Sequence, residues 1–287
     1  MADMNIQWYP GHMTKTRRQM EADLKLVDLI CEVIDARIPI ASRNPSLDEI
    51  VGQKPRLLIF NRSGQADPAE SKRWMAWFKA NHIPAIETDC KTGQGVGGFA
   101  PAVRSVLREQ IARYAARGQK GRPIRVMVAG VPNVGKSAFI NRVAKRKSAK
   151  VADRPGVTRG RQWVTVDTDL ELLDTPGILW PKFEDPTVAL HLAITGAIKD
   201  AVMDVEGLAA NLMTLLADRY PQALTARYKL ETVEGLEGWQ LLEAAARKRG
   251  FLISGGEVDI ERMANILLDE FRGGKIGRFT LETVPEA

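Results

Sequence analysis

The chain has 287 residues, more than a typical single domain, so we expect one large domain with a smaller partner. Apolar residues make up 45% and charged residues 26%, a composition that excludes wholesale disorder. No basic stretch with an apolar run opens the sequence, and no segment approaches the roughly 18 apolar residues of a membrane span. We therefore predict a cytoplasmic protein without membrane contact, in which Cys31 and Cys90 are reduced thiols.

The net charge of +6 is unevenly distributed along the chain. Residues 104–161 hold sixteen lysines and arginines but only two acidic residues. From residue 200 onward fifteen acidic residues face ten basic ones. The basic block is either a solvated helix face or a surface for a polyanion, since phosphate contacts supply most non-specific affinity for nucleic acids.

Helices and buried strands alternate through the first two thirds of the chain. Apolar runs and their spacing predict the strands 27–34, 55–60, 83–88, 124–129, 161–166 and 170–173. Helices are predicted between them, at 13–26, 68–80, 99–116 and from Gly135 onward. This alternation predicts an α/β fold with a doubly wound, mostly parallel sheet.

Strand signals fade after Pro181, and the remaining sequence is helical by its apolar spacing. Predicted helices cover residues 205–218, 236–248 and 260–271, and Asp259 is placed to cap the last of them. We therefore divide the chain into an α/β domain at 1–185 and a helical domain at 186–287.

A phosphate-loop motif runs from Gly130 to Ser137 and follows a predicted strand directly. In this motif glycines let backbone amides surround phosphates, Lys136 supplies a positive charge, and Ser137 offers a hydroxyl to Mg²⁺. A chance glycine-rich turn is the alternative. The motif alone does not separate ATPases, kinases and GTPases.

A second motif, Asp174-Thr-Pro-Gly177, closes the last predicted strand and is typical of GTPases. Asp174 is placed to hold the magnesium shell, and Gly177 to turn its N–H toward the γ-phosphate. Between the two motifs, Thr158 lies in a loop where its hydroxyl is expected to join the metal only when the γ-phosphate is present. A plain loop threonine is the alternative.

The base-recognition motifs of translation-factor-related GTPases here precede the phosphate loop, as Asn61–Gly64 and Asp89–Lys91, so their order is circularly permuted. With these motifs the chain resembles the ribosome biogenesis GTPase A family, the YlqF group, over nearly its whole length. The resemblance rests further on four segments, Tyr9–Met13, Asp35–Pro39, Ser42–Pro45 and Ser254–Asp259.

The resemblance implies GTP and GDP as ligands, Mg²⁺ held by Ser137, Thr158 and Asp174, and K⁺ held by Asn133. It also implies GTP hydrolysis stimulated by the large ribosomal subunit. The implied partners are the precursor of that subunit, its rRNA and ribosomal proteins, with the helical domain as a contact and the protein itself a monomer. The implied nucleotide contacts are Asn61, Arg62, Asp89, Cys90, Lys91, Pro132, Asn133, Val134, Gly135, Lys136, Ser137, Ala138, Thr158, Asp174 and Gly177.

The base-recognition motif departs from the family pattern, which has lysine at Arg62 and aspartate at Gly64. That aspartate accepts hydrogen bonds from guanine N1 and N2, which Gly64 cannot do. Asp67, three residues on, is a doubtful replacement. We therefore expect GTP to be held mainly by its phosphates, with weaker base discrimination than in the family.

No side chain after the second motif can orient the attacking water, because Ile178 and Leu179 follow it. The resemblance implies a histidine for this task, which corresponds to His12. Lys136, Thr158 and Gly177 complete the expected catalytic group. Anchoring of the N-terminal segment or contact with RNA is the alternative role of His12.

Three functions remain open from the sequence. The leading one is a GTP-hydrolysing factor of large-subunit assembly. A nucleotide-gated RNA-binding module with incidental turnover is the second. A small-molecule kinase is the third, but the Asp174–Gly177 motif disfavours it and no acceptor site is evident.

Overall fold

The computed structural model describes residues 12–119, 121–145, 162–180, 183–200 and 203–285, with side chains from residue 15 onward. These residues form two compact units. One, the sheet unit, holds the described residues up to 180 together with 282–285, and the other, the helical unit, holds 183–281. Within the described ranges no helix is both long and apolar enough to cross a bilayer.

The sheet unit is built on six strands in the order β3-β2-β1-β4-β6-β5. Every neighbouring pair is parallel except β5 and β6, which run antiparallel at one edge. The predicted doubly wound, mostly parallel sheet is thereby confirmed. The strands are β1 (Leu29–Asp35), β2 (Arg56–Asn61), β3 (Ala85–Glu87), β4 (Ile124–Ala129), β5 (Gln162–Asp167) and β6 (Leu170–Asp174).

Helices cover the sheet, which explains why all seven residues of β1 are buried. Ile30 packs with Met20 of the first helix, and Ile34 packs with Trp74 of the third. The fourth and sixth helices contact β2, β4 and β6, and meet each other through Phe99 and Phe139. The helices are α1 (His12–Leu24), α2 (Pro45–Val51), α3 (Pro68–Ala80), α4 (Phe99–Val106), α5 (Arg108–Ala116) and α6 (Lys136–Lys145).

Five helices form the helical unit, where α8 packs against α10 and α11. Glu270 of the last helix accepts hydrogen bonds from Arg227, Tyr228 and Arg249, and so joins three segments of the unit. Asp259 caps the same helix by accepting from the N–H of Arg262, as predicted. The helices are α7 (Pro186–Ile194), α8 (Val205–Arg219), α9 (Pro221–Tyr228), α10 (Gly238–Lys248) and α11 (Ile260–Gly273).

Three helices were absent from the sequence prediction, namely α2, α7 and α9. Each begins with a proline at its first turn, where the missing N–H costs nothing because that donor has no partner inside a helix. The predicted helix 99–116 is divided at Leu107 into α4 and α5. The division is slight, since the N–H of Leu107 still bonds to Val103 and its carbonyl to Ile111.

The carboxyl end of the chain corrects the predicted domain division, which placed residues 282–287 in the helical domain. The Glu282 carboxylate accepts from the N–H groups of Ile40 at 2.6 Å and Ala41 at 3.1 Å. Its carbonyl accepts from the indole N–H of Trp74. These bonds make Glu282 part of the sheet unit.

Candidate nucleotide-binding site

The phosphate-loop motif lies between β4 and α6, at the carboxyl edge of the sheet. Asn133 and Gly135 have φ values of +57° and +103°, conformations that turn successive amides toward one side of the loop. Gly130 also has a positive φ, and a Cβ there would lie 2.5 Å from the carbonyl oxygen of Val33. The loop therefore has the geometry that wraps an anion at a helix N-terminus.

Lys136 is folded back on its own loop. Its amine donates to the carbonyls of Gly130 at 3.2 Å and Val131 at 2.9 Å, and the residue is 7% exposed. Burial lowers the pKa of Lys136 to about 8, and the charge of Asp174 opposes that shift. Burial likewise raises the pKa of Asp174, against the charge of Lys136. The amine and the carboxylate therefore face one site.

The Asp174–Gly177 segment lies against the phosphate loop. Thr175 donates its hydroxyl to the carbonyl of Val128 at 2.6 Å. A Cβ on Gly177 would lie 2.7 Å from the backbone of Pro132 and 2.9 Å from the amine of Lys136, so only glycine fits there. Ile178 and Leu179 are buried, at 4% and 0% exposure. Neither has a polar group to direct at water.

Asn61, at the end of β2, connects both base-recognition segments to the phosphate loop. Its amide N–H donates to the carbonyl of Val134 at 3.1 Å. Its amide oxygen accepts from the hydroxyl of Thr88 and from the N–H of Cys90, both at 3.3 Å. A Cβ on Gly135 would lie 2.5 Å from this amide. The permuted order of motifs therefore still brings these segments together.

Arg62 also contacts the phosphate loop, from a left-handed backbone conformation with φ +62°. Its guanidinium donates to the carbonyl of Asn133 at 2.5 Å and lies 3.7 Å from the carboxylate of Asp35. Burial lowers the pKa of Arg62 against the charge of Asp35. Arg62 thus supports the loop from a position where the family pattern has lysine.

Asp67, the doubtful replacement for the missing aspartate, holds the start of a helix. Its carboxylate caps α3 by accepting from the N–H groups of Ala69 at 2.7 Å and Glu70 at 3.3 Å. Cys90 is partly buried beside Asp89, and burial with that charge raises the pKa of its thiol to about 12. Cys90 is therefore a protonated thiol at neutral pH.

The sequence analysis missed a buried ionic group beside the site. Arg37 is 1% exposed and holds both oxygens of Asp35, at 2.9 and 2.7 Å. Burial alone would raise the pKa of Asp35, but the charge and hydrogen bonds of Arg37 outweigh it and lower that pKa. The signal was present, since a carboxylate ending an apolar strand two residues before an arginine is placed to pair with it.

A second missed group links the Ser42–Pro45 segment to the residues after Gly177. Asn44 donates its amide to the carbonyl of Ile178 at 2.9 Å, and its N–H bonds to Glu32 at 3.2 Å. Glu32 lies within β1 at 1% exposure, and burial raises its pKa. A charged residue in an otherwise apolar strand was the available signal.

Two predicted site residues cannot be placed in this geometry. His12 is the first residue of α1, and its side chain lies outside the described atoms. Thr158 falls in the segment 146–161, outside the described residues. Their catalytic and metal-binding roles stay predictions.

Known proteins resemble the chain along nearly its whole length. The family described as "50S ribosome-binding GTPase" matches residues 125–234. A ribosome biogenesis GTPase A of Priestia megaterium is 46% identical over 285 residues, which cover 99% of each chain. Another, of Bacillus cereus, is 44% identical over 283 residues, which cover 99% of this chain and 95% of the relative. The GNP-bound crystal structure of YlqF from Thermotoga maritima superposes with a TM-score of 0.67 at 27% identity, covering 94% of this chain and 98% of the other.

Proposed function

Because the chain belongs to the ribosome biogenesis GTPase A family, and is accordingly a GTPase of ribosome assembly, we propose that it binds the precursor of the large subunit with GTP bound. Hydrolysis then releases it. One observation carries the proposal: Asn61 and Gly177 both contact the phosphate loop, so the base-recognition and γ-phosphate segments meet around Lys136. A switch of this kind needs contacts that differ between its two nucleotide states.

Magnesium fits the oxygen donors of this site. Ser137 in the first turn of α6 and Asp174 at the end of β6 offer a hydroxyl and a carboxylate, which are hard ligands. We propose Thr158 as a further ligand. Bound Mg²⁺ would neutralise charge on the phosphate oxygens. Lys136 adds its own charge, and the exposed Asn133 is our candidate ligand for K⁺.

The residue that orients the attacking water must come from outside the Asp174–Gly177 motif, because no polar side chain directly follows that motif. Ile178 and Leu179 are apolar and buried, so the water must be oriented by another segment. We assign this task to His12, which can accept a proton or a hydrogen bond at neutral pH.

The role of His12 predicts a split between turnover and binding. His12→Ala should lower the GTP turnover rate roughly a hundredfold and change GDP affinity less than threefold, because general base catalysis contributes about that much to rate. Stopped-flow phosphate release and calorimetric GDP titration measure the two quantities. An unchanged turnover rate would remove His12 from the site.

Exposed arginines on α5 and directly after it support contact with rRNA. Arg108, Arg113 and Arg117 are exposed and make no ion pair with the described residues, and α5 buries no side chain. By contrast, Arg104 and Arg125 of the same basic block pair with Asp169 and Glu171. The unpaired cations are therefore available to phosphates, while ribosomal proteins and the helical unit are further proposed contacts.

The decisive experiment measures GTP hydrolysis by the purified protein with and without purified large subunits, and repeats it with ATP. We expect subunits to raise GTP turnover at least tenfold and ATP turnover to stay at background. Negligible hydrolysis in the presence of subunits would instead indicate an RNA-binding module gated by nucleotide. Replacing Arg108, Arg113 and Arg117 with alanine should reduce the stimulation, while leaving the basal rate unchanged.

A further inference from the structure

Asp89 carries a carboxylate that the fold holds in one orientation. The residue follows β3 and is 5% exposed. Its Oδ1 accepts from the N–H groups of Lys91 at 2.7 Å and Thr92 at 3.3 Å. Its backbone pairs with Gln94 and Gly93 in the same tight turn. No donor among the described residues reaches Oδ2, so this oxygen is available to a ligand.

Gly64 leaves room for that oxygen. A Cβ built on Gly64 would overlap Oδ2 of Asp89 and lie 3.2 Å from its Cγ. The φ of Gly64 is not in the left-handed region, so its backbone does not require glycine. What requires glycine is the space, because the carboxylate of Asp89 occupies the place where a side chain at 64 would begin.

The free oxygen belongs to the base side of the site. The N–H of Cys90, the next residue, bonds to Asn61, and Asn61 bonds in turn to Val134 of the phosphate loop. Asp89 and Gly64 both follow strands of the parallel sheet, at the carboxyl edge where ligands of such sheets bind. The carboxylate therefore lies at the edge of the sheet where a base would be placed by a nucleotide whose phosphates occupy that loop.

We infer that Asp89 reads the guanine base, with Oδ2 accepting hydrogen bonds from the ring N1–H and the exocyclic N2 amino group. Guanine presents these two donors side by side, whereas adenine presents an acceptor at N1 and no amino group at C2. A fixed carboxylate thus attracts guanine and repels adenine. The inference rests on the proposed function only in taking GTP as the substrate, and it replaces the expectation of weak base discrimination.

Asp89→Asn tests this assignment with little change in shape. The two backbone donors of Lys91 and Thr92 need an acceptor, so the amide oxygen takes the place of Oδ1. The amide N–H₂ is then forced into the place of Oδ2, where it repels guanine N1–H and N2 but donates to the C2 carbonyl of xanthine. We expect GDP affinity to fall about a hundredfold and XDP to bind more tightly than GDP.

Calorimetric titrations with GDP, XDP and ADP, in Mg²⁺ and without subunits, give these affinities. Asp67→Asn is the matched control, since it makes the same substitution on the neighbouring carboxylate and keeps an acceptor for the cap of α3. It should leave the GDP-to-XDP ratio within threefold of wild type. An Asp89→Asn variant that retains the wild-type ratio, or a wild type that binds ADP as tightly as GDP, would overturn the inference.

Moving the carboxylate from position 89 to position 64 supplies a second, independent test. Gly64→Asp should bind GDP at least tenfold more weakly and melt at a lower temperature, because two carboxylates then compete for one place. Adding Asp89→Ser should restore GDP binding, with the aspartate now at position 64. Wild-type GDP affinity in Gly64→Asp alone would contradict the inference. Because these measurements need no ribosome, loss of subunit stimulation would refute the proposed function and leave this result standing.

Discussion

The two sides of the nucleotide site make their contacts with different parts of the chain. On the phosphate side the main chain shapes the loop around the charge of Lys136, with Gly130 and Gly135 at positive φ and Gly177 too close to Pro132 for any side chain. On the base side the hydrogen-bonding groups are side chains, namely the amide of Asn61 and the carboxylate of Asp89, which we propose contacts the base. We therefore expect phosphate-side changes to affect all nucleotides alike, and base-side changes to alter which nucleotide binds.

Lys136→Ala should have the largest effect. It removes the one buried cation of the phosphate loop, so GTP and ATP affinities should both fall at least a hundredfold, about 2.7 kcal/mol. Lys145→Ala, an exposed lysine on the same helix, is the control. Titration with both nucleotides checks the result. A change in the ratio of GTP to ATP affinity would show that a phosphate-side residue also selects the base, against the comparison drawn above.

Gly177→Ala should come next. Its new Cβ would lie 2.7 Å from the backbone of Pro132, so the Asp174–Gly177 segment must move away from the γ-phosphate position. A displacement of this order costs roughly a hundredfold in turnover. GDP affinity should change little, because GDP lacks the γ-phosphate. Gly98→Ala, where a Cβ meets nothing within 4 Å, is the control in single-turnover assays.

Asn61→Ala should affect both sides at once, because this amide joins them. It leaves the N–H of Cys90 and the carbonyl of Val134 without their partner, at a cost of about 2 kcal/mol in unfolding free energy. We expect a lower melting temperature and roughly tenfold weaker GDP binding. Asn81→Ala, whose amide only bonds within α3, is the comparison. An unchanged melting temperature of Asn61→Ala would show that the phosphate side and the base side are independent of this amide.

The smallest expected effect is a pH dependence of the phosphate side. In the nucleotide-free protein burial holds the pKa of Lys136 at about 8, and a bound phosphate would raise it, so binding takes up a proton above that pH. GDP affinity should therefore fall several-fold in total between about pH 7 and 8.7. The slope is small at pH 7 and steepens above the pKa toward a limit of about tenfold per pH unit. Calorimetry in buffers of different ionisation enthalpy measures the uptake. Equal affinities across this range would contradict it, and Lys136→Arg should remove the dependence.

The sequence predicted those parts of the molecule that depend on neighbouring residues. The helix predicted over 68–80 is α3, and the phosphate loop followed from the glycine spacing between a strand and a helix. Contacts between distant segments were not predictable. Position 64 was read as the loss of a contact, because nothing in the sequence places it beside Asp89, twenty-five residues further on.

The same limit explains one of the two buried groups. Glu32 and Asn44 meet because α2 begins where β1 passes, which no local pattern encodes. The pairing of Arg37 with Asp35, two residues away, could be read from the sequence, and only the burial of both side chains required the structure. Proline at the start of a helix is the exception, since α2, α7 and α9 could have been found by reading proline as a first residue rather than as a break.

The position of Glu282 sets a practical limit on how this chain can be shortened. A deletion planned from the helices alone would end soon after Gly273, where α11 stops. Such a deletion would remove the carboxylate that accepts hydrogen bonds from the backbone N–H groups of Ile40 and Ala41. Each lost hydrogen bond costs about 0.5 to 1.5 kcal/mol, because water can reach these amides in place of the carboxylate. A shortened protein that fails to bind nucleotide would then report damage to the sheet unit. Glu282→Gln in the full chain is the control, because it separates the loss of this carboxylate from the loss of the deleted residues.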